Sequence, residues 1–115
     1  MMTSAYDPDG ERPPARHEIP RIDEAALEAA RLADRLLAAA REVGVVRWAD
    51  FLAPFPERLR DEGPDALRKT ALAARAAYGP RDSIRDAFAD DLTLPFLAAL
   101  DRLLKVLARY RLRAD

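Results

Sequence analysis

The chain is expected to fold as an all-α, compact bundle of four to five helices with a Pro-rich N-terminal tail, and three observations lead there. Apolar residues recur at alternating spacings of three and four over long stretches, while no segment shows the period-two alternation of a half-buried strand. Helix punctuation falls between those stretches, at Pro20, Gly44, Pro54, Gly63, Pro64, Gly79 and Pro80. Finally, 115 residues with 50% hydrophobic and 34% charged content suit one core of modest size and leave no room for a second.

Residues 1–21 read as the tail. Pro8, Gly10, Pro13, Pro14 and Pro20 interrupt any periodicity, and the surrounding charges leave too little apolar area to offset the ordering entropy. Tyr6 and Ile19 are the residues through which this segment can lie over the domain that follows, residues 22–115.

The first helix is expected from Ile22 to Val43. Asp23 and Glu24 sit at the positive end of its dipole, and Gly44 supplies the left-handed residue that ends it. Its inward stripe is Ala25, Ala29, Leu32, Leu36, Ala39 and Val43, widened by Leu27 and Leu37. Val45 to Ala53 is expected as a short helix stopped before Pro54, and a second short helix opens at Pro56 and closes at Gly63, the pair bending around Trp48, Phe51 and Phe55. Pro64 opens another helix, about Asp65 to Tyr78, with Leu67, Ala71, Ala74, Tyr78 and Leu72 inward. Ser83 and Asp86 have the spacing of a capping box before a helix with Ile84, Ala87 and Phe88 on its apolar side. The last helix is expected from Leu94 to Leu112, with Thr93 as its cap and Pro95 in its first turn. It carries two apolar stripes. One is Leu97, Leu100, Leu104 and Leu107; the other is Phe96, Leu103 and Tyr110, which either makes the helix central to the bundle or offers a second contact face for a homodimer or a partner helix.

Composition removes much chemistry. There is no cysteine, asparagine or glutamine, and only two serines, three threonines and one histidine, His17, which falls in the tail. Thiolate nucleophiles, disulfides and Cys-based metal sites are excluded, and a general base held in a pocket is not expected. No enzyme activity and no cofactor are expected. Nineteen Lys and Arg against twenty Asp and Glu give a net charge of −1, unlike a generically nucleic-acid-binding or membrane-surface protein. No run of about 18 apolar residues exists, and no apolar core follows a basic start, so a cytoplasmic setting is expected.

Two charged clusters remain as candidate surfaces. Asp82, Asp86 and Asp90 recur every fourth residue and on a helix would share a face, with Asp91 adjacent. They lack the central glycine and final glutamate of a Ca²⁺ loop, and Arg81 and Arg85 are interleaved, so a metal is not expected. A docking surface for a basic protein partner is the functional reading; a cap plus a solvated face is the plain one. The second cluster is Arg109, Arg111 and Arg113, which can touch nucleic acid or an acidic partner, or simply complement the dipole at the helix C-terminus. A helix-turn-helix spanning Lys69 to Asp91 would turn four carboxylates toward phosphate and has no amide side chain to read adenine.

Gly44 before Trp48 and Ala49, then Leu52, Leu59 and Gly63, then Tyr78 and Gly79 followed by Ser83 and Asp86, form a pattern over residues 27–90. It is similar to a family of small all-helical bacterial proteins of unknown function, in which a Trp-Ala helix precedes a Tyr-Gly-Gly-x-Gly-Ser-x-x-Asp turn. This chain departs from it at Pro80, Arg81 and Asp82, which replace the glycine-rich stretch. The resemblance implies no established activity. Small acidic-patched bacterial proteins of this build look like immunity proteins, which neutralise a toxin. The expectation is therefore a non-catalytic protein–protein interaction module, most concretely an immunity protein binding a basic partner surface. The alternative is a small helical nucleic-acid-associated regulator using the Arg-rich C-terminal helix.

Overall fold

The computed structural model describes residues 15–114, with side chains described as far as Tyr110. Tyr6 and the rest of residues 1–14 lie outside the described residues. Among those described, the architecture is all-α, without strands: α1 (Pro20–Val43), α2 (Val46–Leu52), α3 (Phe55–Asp61), α4 (Pro64–Arg75) and α5 (Asp90–Ala114), with single 3₁₀ turns at Arg16–Glu18, Ala76–Tyr78 and Ile84–Asp86.

α1 is the central member. It packs against α2, α3 and α5, while α4 packs on α3 and α5. Its buried arc is wider than the expected stripe, because three neighbours surround it. Ala26, Ala30, Ala33 and Ala40 are buried along with Ala25, Ala29, Leu32, Leu36 and Leu37. Alanine along this arc lets the neighbouring backbones come close, since helix separation follows the size of the side chains at the contact. Leu27 and Val43, expected inward, are exposed. Gly44 ends α1 at φ 77°, and its N–H donates to the Arg41 carbonyl at 3.2 Å while Val45 N–H donates to that of Ala40 at 3.0 Å. That pair of bonds is the Schellman ending, and Val45 packs on the core beside it.

The segment after Gly44 folds around Trp48. Trp48 and Phe55 are buried and Phe51 is half-buried between them; successive rings meet edge to face at 5.5 and 5.2 Å. Arg47 lies over the Trp48 ring at 4.7 Å. These aromatics belong to the core.

Four expectations are corrected here. First, Leu72 is exposed rather than inward. Second, the helix expected after Ser83 is a single 3₁₀ turn, too short to repay nucleation of an α-helix. Third, α5 begins at Asp90, so Thr93 is not its cap; Thr93 is fully buried inside the helix and its hydroxyl donates back to the Ala89 carbonyl at 3.3 Å. Two aspartates opening a helix at its positive end explain the earlier start. Fourth, Phe96 and Leu103 are fully buried and Tyr110 is half-buried within one copy, so this stripe is not a homodimer surface. α5 lies against both α1 and α4, and its two apolar faces are covered by those neighbours.

The expected tail also ends sooner than residue 21. Arg16 is 8% exposed; its Nε donates to Asp23 at 2.6 Å and its Nη1 to the carbonyls of Leu59 at 2.6 Å and Glu62 at 3.3 Å. Thr70 of α4 donates its hydroxyl to the Glu62 carboxylate. Arg16 thereby joins this segment to α1 and to the C-terminal end of α3.

Candidate functional site

Asp82 and Asp86 lie in the connection between α4 and α5 while Asp90 and Asp91 begin α5, so the four do not line one helical face. Gly79 and Pro80 follow the Ala76–Tyr78 turn, and Asp82 takes φ 52°, a left-handed conformation that aspartate tolerates better than most residues. The Ser83 hydroxyl caps the next turn by accepting from Arg85 N–H at 3.1 Å, as its position suggested. Asp86 takes no reciprocal part; its own N–H donates to the Ser83 carbonyl at 2.9 Å. Asp90 and Asp91 then open α5.

Three anchors fix this connection. Ile84 is fully buried and Phe88 is buried behind it. Tyr78, half-buried, donates its hydroxyl to the Thr93 carbonyl at 2.6 Å and so ties the start of the connection to α5. Exposed on the outside are the carboxylates of Asp82, Asp86, Asp90 and Asp91, with the Arg81 and Arg85 guanidinium groups among them. Arg85 reaches Asp90 at 3.4 Å, whereas Asp82, Asp86 and Asp91 make no ion pair among the described residues.

Burial pushes the Tyr78 phenol above its ordinary pKa of 10.0, with the Arg85 charge drawing it partly back. A proton held more tightly in the folded chain contributes stability that is complete below pH 10.0 and drains away above it, where the unfolded chain ionises first. The Tyr78→Phe variant is therefore expected to be less stable by about 1 kcal/mol at neutral pH, through the lost bond to Thr93. In urea unfolding followed above pH 10.0 that gap should narrow and then reverse. A gap independent of pH would contradict it.

The second predicted cluster lies at the end of α5. Arg109 is exposed on α5; Arg111 and Arg113 are on the helix, but their side chains lie outside the described ones. Arg102 and Lys105 are the cations that share an exposed face with Arg109, at spacings of three and four, and the sequence reading passed over them.

His17 is exposed in the first 3₁₀ turn, and Ser83 is engaged as a cap. Among the described residues no three His, Asp or Glu side chains converge as metal ligands. Open grooves among the described residues include one of about 320 Å³ along Pro54, Glu57, Arg58, Asp61 and Glu62, and one of about 310 Å³ between α1 and α5. No described helix is long and apolar enough to cross a membrane. Compared with protein-family models, with curated proteins and with solved structures, the chain matches none.

Proposed function

We propose that this chain is a non-catalytic interaction module whose acidic connection, Asp82 to Asp91, docks on a basic surface of a protein partner. One observation carries the reading. Asp82, Asp86 and Asp91 are exposed and make no ion pair among the described residues; the first two stand on a segment held by Ile84, Phe88 and the Tyr78–Thr93 bond and the third on the first turn of α5, so little ordering cost attends their use in binding. Such a surface speeds association with a basic partner and makes it sensitive to salt. The concrete form is neutralisation of a basic toxin in the cytoplasm. Co-expression with the protein encoded beside it tests this. Co-purification at low salt and protection of the cell are expected, both lost in the Asp86→Arg, Asp90→Arg double variant. Unchanged co-purification of that variant, with an unchanged helical circular-dichroism spectrum, would overturn the reading.

A nucleic-acid-associated regulator is the second reading, favoured by Arg102, Lys105 and Arg109 on one exposed face of α5. It requires affinity for a duplex that falls steeply with salt, and a flat binding curve at about 50 mM salt removes it.

A further inference from the structure

We propose that the outer face formed by α1 and α5 is a two-fold interface between two copies of this chain. The two helices run antiparallel. Arg102 of α5 approaches Glu24 at 3.5 Å near the start of α1, while Pro95, earlier on α5, shares a groove with Arg35, later on α1. The floor of this groove is Leu32, Pro95, Ala98 and Ala99. Pro95 and Ala98 are exposed, and side chains this small let a second helix settle closely on them.

The charges around the floor alternate from corner to corner. Glu24 and Glu28 form the N-terminal corner of α1; Arg31 pairs with Glu28, Arg102 approaches Glu24 at 3.5 Å, and Arg21 lies one turn outward. The adjacent corner, on α5, is basic through Arg102 and Lys105. At the other end the signs exchange: Arg31 and Arg35 on α1 are basic and Asp91 on α5 is acidic. All these residues are exposed. Arg31 donates to the Glu28 carboxylate at 2.8 and 3.1 Å, whereas Arg35 has no ion-pair partner among the described residues.

A two-fold axis across the middle of the groove, between Arg31 and Leu32, lays α1 antiparallel on the α1 of the other copy. Glu28 then meets Arg35, and Asp91 meets the Arg102–Lys105 turn, each pairing occurring twice. Every corner faces its opposite sign. A partner of one sign throughout, such as a duplex or an acidic peptide, would be attracted at two corners and repelled at the other two. This pattern selects a second copy as the occupant, in a self-complementary isologous contact. The face is separate from the buried Phe96 and Leu103 stripe; it shares Asp91 with the acidic surface, but its test alters neither Asp86 nor Asp90, so the two outcomes are read separately.

Sedimentation equilibrium of the full chain is the test. At low ionic strength and high protein concentration the apparent mass should be twice that of one chain and should fall toward one chain as salt is raised. Ala98→Arg and Glu28→Arg, both at exposed helical positions, should each give the mass of one chain with unchanged helical circular dichroism. Mixing Glu28→Arg with Arg35→Glu should restore the doubled mass. A single-chain mass for the unaltered protein, an Ala98→Arg variant that stays doubled, or a mixture that fails to reassociate overturns the proposal.

Discussion

Phe96→Ala is expected to cost about 3–5 kcal/mol, the range for truncating a fully buried aromatic residue. Phe96 is fully buried and heads the largest such side chains of the fold, on the helix that α1 and α4 cover from two sides. A domain of this size holds about 5–15 kcal/mol in total, so the variant loses a large fraction of its stability. At about 4–8 °C per kcal/mol, its melting temperature should drop by more than about 12 °C. Leu94→Ala is the contrast. It lies two residues earlier on the same helix but is 39% exposed, and its change should stay within about 1 kcal/mol. Were Phe96 buried only by a second copy, its truncation would alter association and leave a dilute protein unharmed. The expected loss instead persists undiminished on dilution in urea unfolding, and a loss confined to high concentration would restore the discarded dimer stripe.

The parts of this fold that were legible in the sequence are those governed by local backbone preference. Gly44 ends α1 because glycine takes a positive φ without steric cost, a property no tertiary contact has to supply. Pro64 at the start of α4 and Ser83 as a cap follow from equally local chemistry. The features that were misread depend on what lies across from a residue. Leu72 has the spacing of an inward position, yet the neighbours of α4 stop short of it. The stripe of Phe96, Leu103 and Tyr110 was correctly seen as a second contact face, but periodicity cannot say whether the covering surface belongs to the same chain. The acidic candidates show the same division. Their exposure was expected; the placement of Asp82 and Asp86 on an irregular connection was not, because the fourfold spacing of Asp82, Asp86 and Asp90 imitates a helix face that the single turn at Ile84 never extends. Arg102 and Lys105 escaped notice because they become neighbours of α1 residues only after the chain has reversed direction.

Arg16 is the residue least visible in the sequence, and its removal gives the second large expected effect. Nothing about an arginine after two prolines signals burial. In the fold its guanidinium closes the C-terminal end of α3 by donating to the carbonyls of Leu59 and Glu62, groups that a short helix otherwise leaves without partners. Arg16→Ala strands these acceptors, and a buried unsatisfied group costs about 1–3 kcal/mol. The ion pair with Asp23 adds little, because the Asp23 side chain is 37% exposed and regains water. One term opposes the loss: Arg16 Nη2 is itself buried without a partner, a penalty that the alanine variant sheds. Two stranded carbonyls against one relieved nitrogen leave a net of about 2 kcal/mol. Arg16→Lys keeps the charge near the helix end but cannot fork to two carbonyls and Asp23 together, so it should fall between. Asp23→Ala should cost less than Arg16→Ala, since the carbonyls, not the carboxylate, supply most of the effect. Urea unfolding of the three variants decides the matter. An Arg16→Ala chain within about 0.5 kcal/mol of the parent would mean that residues 15–21 are no part of the folded unit, and equal losses for Arg16→Ala and Asp23→Ala would shift the account from helix capping to the ion pair.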